Sequence, residues 1–165
     1  GFGTRLMTEV REKRGLTYGV YSGFTGMQAR GPFMINLQTR AELSEGTLQL
    51  VKDLLQDFIA NGPTQQELDA AKREMAGSFP LSTASNAAIV GQLGAIGFYD
   101  LPLTYLEDFM GQVQALSVEQ VKAAMVKHLD PEALVIVSAG PTVEQKELPP
   151  PTDKPAEQPA AVPEH

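Results

Sequence analysis

Apolar positions open the chain at helical spacing: Phe2, Leu6, Met7 and Val10 recur every three or four residues, with Glu9, Glu12 and Lys13 between or after them. The spacing predicts a helix over residues 4–14. Gly15 supplies the left-handed residue that often closes a helix, and Lys13 and Arg14 stand where the helix dipole favours positive charge. From Leu16 to Phe24 the chain turns to aromatic and β-branched residues mixed with glycine, which suits a strand with Tyr18, Val20, Ser22 and Phe24 on one face. Beyond Gly31 and Pro32, the residues Phe33, Ile35 and Leu37 alternate against Met34, Asn36 and Gln38, the period of a half-buried strand. The two runs are expected to pair antiparallel.

A longer stripe, Leu48, Val51, Leu55 and Phe58, predicts a helix ending near Asn61-Gly62-Pro63. Thr64 with Glu67 has the form of a capping box and opens a helix through Met75 towards Phe79-Pro80. Ser117 with Gln120 repeats the signal before a helix that ends at Asp130-Pro131, after which Leu134-Val135-Ile136-Val137 reads as a short buried strand returning to the sheet. Two strands, several helices and a strand make the fold class α+β, an antiparallel-rich mixed sheet packed by helices. The domain is expected over residues 1–143. Pro149, Pro150, Pro151, Pro155, Pro159 and Pro163 make residues 144–165 a flexible, extended tail, either a solvated linker or a docking peptide for a proline-binding module.

Composition narrows the function. With 165 residues and 42% hydrophobic content the chain can bury one ordinary core. A net charge of −7 argues against nucleic acid, because a binder must neutralise phosphates with clustered Lys and Arg. No apolar run approaches the roughly 20 residues that cross a bilayer. The absence of cysteine removes disulfides and thiolate metal sites. The chain opens at Gly1 without an initiator Met, so a fragment of a longer protein is expected.

Catalytic zinc takes three protein ligands, and the chain has two histidines, His128 near a helix end and His165 as the last residue. No metal site is expected. Ser22 lacks the glycine two residues before it that a nucleophile elbow requires. Glu9, Glu12, Glu107 and Asp108 read as exposed helix faces. Gly91, Gly94 and Gly97 lie inside a helical apolar pattern rather than after a strand, so they are read as close helix packing, or room for a loop or partner to approach, and not as a phosphate loop. Arg11 and Tyr18 remain, one on the last turns of the opening helix and one on the first strand. Either they converge at the corner, or Arg11 stabilises the helix end and Tyr18 fills the sheet.

The stretch Gly3 to Ser22, with Thr4-Arg5-Leu6, Arg11-Glu12-Lys13-Arg14-Gly15-Leu16 and Tyr18-Gly19-Val20-Tyr21-Ser22, resembles a signature of pitrilysin/insulinase zinc metallopeptidases and of mitochondrial processing peptidase. The later order of elements agrees with that family's α+β domain as far as Gly140. The resemblance implies a clamshell of paired domains in which one half carries the inverted zinc motif and the other an Arg and a Tyr that reach across to substrate. Arg11 and Tyr18 match the latter in spacing and context, while the zinc motif is absent. The resemblance thus implies a C-terminal, zinc-free half lacking part of its own sheet. It would not be a peptidase by itself, but would bind substrate peptide and complete the active site of a zinc-bearing homologous domain or subunit. The alternative is a catalytically silent scaffold or peptide-binding subunit of the same fold. The zinc would lie in the partner half, and a periplasmic or exported setting is implied on the same ground.

Overall fold

A computed structural model describes residues 1–152; the expectation for residues 153–165 of the Pro-rich tail lies outside the described residues. The elements in chain order are α1 (Phe2–Leu6), a π-helical segment (Met7–Glu12), β1 (Val20–Phe24), β2 (Phe33–Leu37), α2 (Ser44–Asn61), α3 (Gln65–Ser78), α4 (Asn86–Phe98), α5 (Tyr105–Ala115) and α6 (Val118–His128). Short 3₁₀ turns precede α2 at Ala41–Leu43 and follow α3 at Phe79–Thr83. The chain divides into two compact units.

One unit holds residues 2–25, 32–57 and 130 onward. Its core is Phe2, Leu6, Val10, Leu16, Val20, Leu43, Val51 and Leu55, with Thr47 buried among the apolar positions. Phe2, Leu6 and Val10 lie four residues apart, which puts one edge of the opening helix against this core. The strands β1 and β2 pair antiparallel with Val20 opposite Leu37, Ser22 opposite Ile35 and Phe24 opposite Phe33. Aromatic rings at Phe24 and Phe33 sit 4.8 Å apart across that last pair.

Three expectations change here. The opening helix is not uniform: after α1 it widens, and the Lys13 N–H reaches the Thr8 carbonyl five residues back at 2.9 Å. Strand β1 begins at Val20 rather than Leu16, because Thr17 folds residues 17–19 into a tight clasp. Leu134–Val137 forms no strand, and Val135 is 92% exposed. A strand needs a neighbouring ladder for its N–H and C=O groups, and among the described residues the sheet consists of β1 and β2. The start of the Pro-rich segment is extended and tied down: Lys146 N–H donates to the Glu42 carbonyl at 2.8 Å, and Thr152 N–H to the Lys13 carbonyl at 2.8 Å.

The other unit holds Gly1, residues 26–31 and 58–129. Phe58, Ile59, Leu68, Ile96, Val113 and Met125 are its buried apolar residues. Both capping boxes form, Thr64 with Glu67 on α3 and Ser117 with Gln120 on α6. Lys72 places its ammonium on the Gln114 and Leu116 carbonyls at 2.9 and 2.7 Å, at the end of α5 where the helix dipole favours a cation. Gly91, Gly94 and Gly97 are helical as read, but among the described residues a Cβ at any of them would meet nothing within 4 Å, so close packing against those residues does not explain them.

Gly62, which ends α2, has φ +76°, and a Cβ there would lie 2.9 Å from the Lys122 Cβ. Both the left-handed backbone and a side-chain root oppose any larger residue. Gly62→Ala is expected to cost about 2 kcal/mol. The urea unfolding midpoint reads this, and a loss below about 0.5 kcal/mol would mean that the turn relaxes freely.

Candidate functional site

The helix-to-strand corner is built from buried anchors and exposed tips. Gly15 takes φ +58°, the conformation L side chains avoid, and its N–H returns to the Arg11 carbonyl at 2.8 Å while the Leu16 N–H returns to Val10 at 3.0 Å. Leu16 and Val20 are buried on either side of the bend. Thr39 Oγ1 donates to the Leu16 carbonyl at 2.7 Å and fixes it to the following segment. Between these anchors Thr17 Oγ1 donates to the Gly19 carbonyl at 2.8 Å and accepts from the Gly19 N–H at 3.1 Å. Tyr18 is the apex of this clasp, 98% exposed.

Arg11 follows buried Val10 on the π-helical segment and is likewise exposed. The other cations of this stretch are engaged. Arg5 pairs with Asp57 at 2.8 Å, Lys13 with Glu9 at 2.6 Å, and Arg14 with Glu9 at 2.8 Å. Among the described residues neither Arg11 nor Tyr18 has a side-chain hydrogen bond or ion pair. The structure therefore puts the two expected residues on one corner with their polar groups uncommitted. No hydrogen bond joins them. The reading in which Tyr18 fills the sheet does not describe this phenol.

The structure adds Tyr21 to the corner. A Cβ on Gly19 would lie 3.2 Å from the Tyr21 Oη, so the glycine lets that ring lie back along the strand towards Tyr18. Tyr21, Phe24, Met34 and Asn36 line a shallow depression of about 210 Å³ on the hairpin. Glycine between two tyrosines was the signal for this in the sequence.

Glu9 is not an exposed helix face: it is half-buried and receives both Lys13 and Arg14. Burial alone raises the affinity of its carboxyl for protons, but the hydrogen bonds and charges of Lys13 and Arg14 outweigh it and hold the group below the ordinary carboxylate value. The folded state thus binds its proton less readily than the unfolded chain. Its contribution to stability is complete above the unfolded carboxylate range and is lost as pH falls through the lowered folded value. Glu9→Gln is expected to cost about 1 kcal/mol at pH 7. That difference should shrink towards zero in acid, and a pH-independent difference in urea midpoints would contradict it.

Among the described residues no three His, Cys, Asp or Glu side chains cluster as metal ligands, and His128 is exposed in the last turn of α6. These residues do not fit zinc. Glu12, Glu107 and Asp108 are exposed, Asp108 accepting from Thr104 Oγ1 at 2.7 Å. No helix among the described residues is long and apolar enough to cross a membrane.

The family model for the peptidase M16 inactive domain matches residues 1–75, which include the whole corner. A solved peptidase M16 inactive domain from Pseudomonas fluorescens is 74% identical, with a TM-score of 0.83 over 90% of this chain and 35% of that one. The chain belongs to the peptidase M16 family, as its inactive domain. The structural match bears out the α+β class for the M16 domain. In the non-peptidase homolog YmxG of Helicobacter pylori, 33% of 134 aligned residues are identical, covering 79% of this chain and 30% of that protein. An uncharacterized zinc protease of Streptomyces coelicolor is 28% identical over 123 residues, 74% of this chain and 27% of the relative. The M16 domain therefore spans under a third of each of these two relatives.

Proposed function

We propose that this M16 inactive domain is the zinc-free half of a composite peptidase, binding substrate peptide and completing the active site of a zinc-bearing partner half through Arg11 and Tyr18. The single observation that carries the reading is the pair of uncommitted polar groups at the corner, held by buried neighbours and turned to solvent. Folding alone gives little reason to hold a phenol at the tip of a clasp. A facing wall does.

The roles follow from the chemistry of the two groups. The Tyr18 O–H donates a hydrogen bond to the carbonyl oxygen of the scissile bond as that oxygen gains charge, and its placement before the reaction means no reorganisation is needed then. Arg11 holds a neighbouring peptide carbonyl with its planar fork of donors. Both interactions strengthen when the facing half excludes water. This reading assigns the zinc, its ligands and the general base to that half, and it is supported by the lack of any cluster of three His, Cys, Asp or Glu side chains among the described residues.

A second reading, a catalytically silent scaffold or peptide-binding subunit, has one finding in its favour: the Helicobacter pylori relative bears the name of a non-peptidase homolog. A mixing assay separates the two. The zinc-bearing half is combined with wild type, Arg11→Ala or Tyr18→Phe, and peptide cleavage is followed. Loss of cleavage in both variants supports the composite site; undiminished cleavage in both leaves the scaffold.

A further inference from the structure

The start of the Pro-rich segment is seated on the same unit that carries the corner. The Gln145 side chain spans the entry to α2: its Nε2 donates to the Ala41 carbonyl at 3.0 Å and to the Val143 carbonyl at 3.3 Å, while its Oε1 accepts from the Glu45 N–H at 3.1 Å and from Ser44 Oγ at 3.4 Å. Leu148, half-buried, lies over Gly46, where a Cβ would come within 2.9 Å of the Leu148 Cγ. At the far end the Thr152 N–H and Oγ1 both donate to the Lys13 carbonyl, at 2.8 and 3.1 Å. Helix ends leave carbonyls that need partners from elsewhere. Here the next turn of chain serves two of them, with the Gly15 N–H on Arg11 and the Leu16 N–H on Val10, whereas the Lys13 carbonyl is met by a residue 139 positions later.

We propose that residues 145–152 are a strap that pins the bend between Arg11 and Tyr18, with Thr152 a positioning residue for the Arg11 guanidinium, an inference that rests on the composite reading above. Lys13 stands between Arg11 and the Gly15 turn, so fixing its carbonyl fixes the end of the π-helical segment from which Arg11 projects. Left without a partner, such an end frays, and the guanidinium would sample directions that miss the peptide. The strap is built to deliver one donor to one place. Pro149, Pro150 and Pro151 carry no N–H and hold φ fixed, so Thr152 offers the first backbone donor beyond Leu148, and seating Leu148 on Gly46 leaves it little freedom. A linker that only leads away from the fold needs neither a glycine seat nor two donors on one helix-end carbonyl.

Thr152→Pro removes both donors and keeps the backbone stiff, whereas Thr152→Ser keeps both donors. In the assembled protein, amide hydrogen exchange at Gly15 and Leu16 is expected to quicken about fivefold or more in Thr152→Pro, with exchange around Val51 and Leu55 in α2 unchanged and Thr152→Ser like wild type. The KM for peptide is expected to rise about threefold or more with kcat nearly unchanged, and to rise no further when Thr152→Pro is added to Arg11→Ala. Exchange at Gly15 and Leu16 that stays at the wild-type rate overturns the strap and leaves the composite site standing. Equal quickening throughout α2, or an equal rise in KM in the Arg11→Ala background, reduces the segment to general stability and overturns it as well. Local quickening in an assembly indifferent to Arg11→Ala and Tyr18→Phe keeps the strap and removes the catalytic reading.

Discussion

Under the proposed composite site, Tyr18→Phe is expected to lower turnover about 10²-fold or more, with the stability of this chain changed by less than about 0.5 kcal/mol. The two halves of that expectation come from the same fact. The phenol is 98% exposed, and among the described residues its oxygen bonds to nothing, so removing it leaves no cavity and no stranded partner. Whatever activity is lost is lost at the substrate. Because a hydrogen bond to a carbonyl matters most when the oxygen carries charge, the effect should fall on kcat and leave KM nearly unchanged. Arg11→Ala should behave differently: a guanidinium gripping a neighbouring peptide carbonyl acts in the ground state as well, so KM rises. Arg11→Lys should recover only part of that, since a compact ammonium does not reproduce the fork. Equal kcat for Tyr18→Phe and wild type in a competent assembly would sink the oxyanion role.

How far the sequence carried the structure depended on whether the deciding neighbour lay inside the chain. Helix starts were readable because their causes are local: Thr64 with Glu67 and Ser117 with Gln120 each close a reciprocal pair within one turn. The pairing of β1 with β2 was readable for the same reason, as a short connection joins two runs of matched alternation. The Leu134–Val137 run has strand-forming residues and no ladder among the described ones, so local preference had nothing to complete it. The widening of the opening helix was not written in hydrophobic spacing, because Phe2, Leu6 and Val10 suit either winding. At the site, Arg11 and Tyr18 came from a motif, and their exposure came only from the structure. The two alternatives for Tyr18 differed by where Thr17 sends its hydroxyl, a choice that residue periodicity does not report. Glu9 was misplaced on a solvated face because its partners Lys13 and Arg14, four and five residues on, reach back across the turn that the π-helical segment reshapes.

Leu6→Ala is expected to cost 2–5 kcal/mol, about the range for emptying a well-packed core position, against a total stability of about 5–15 kcal/mol for a domain. Leu6 has no solvent exposure, and Phe2 and Val10, one turn on either side, are buried with it. The loss has two parts: the transfer of the missing methyl and methylene groups, and the void left where the strand and helix walls cannot fully close. Leu6→Met keeps the volume and should cost less than about 1.5 kcal/mol, so the pair of variants separates cavity from chemistry. Urea midpoints at unchanged slope give the numbers. The same position also tests how the corner is held. The π-helical segment bearing Arg11 starts at the next residue, so a slackened core loosens the base from which the guanidinium projects. Cleavage supported by Leu6→Ala should then fall under conditions where the variant is still folded, while Leu6→Met retains it. A stability loss below about 1 kcal/mol would mean that the opening turn rests on this core without belonging to it, and the aim of Arg11 would have to be set by the Gly15 bend alone.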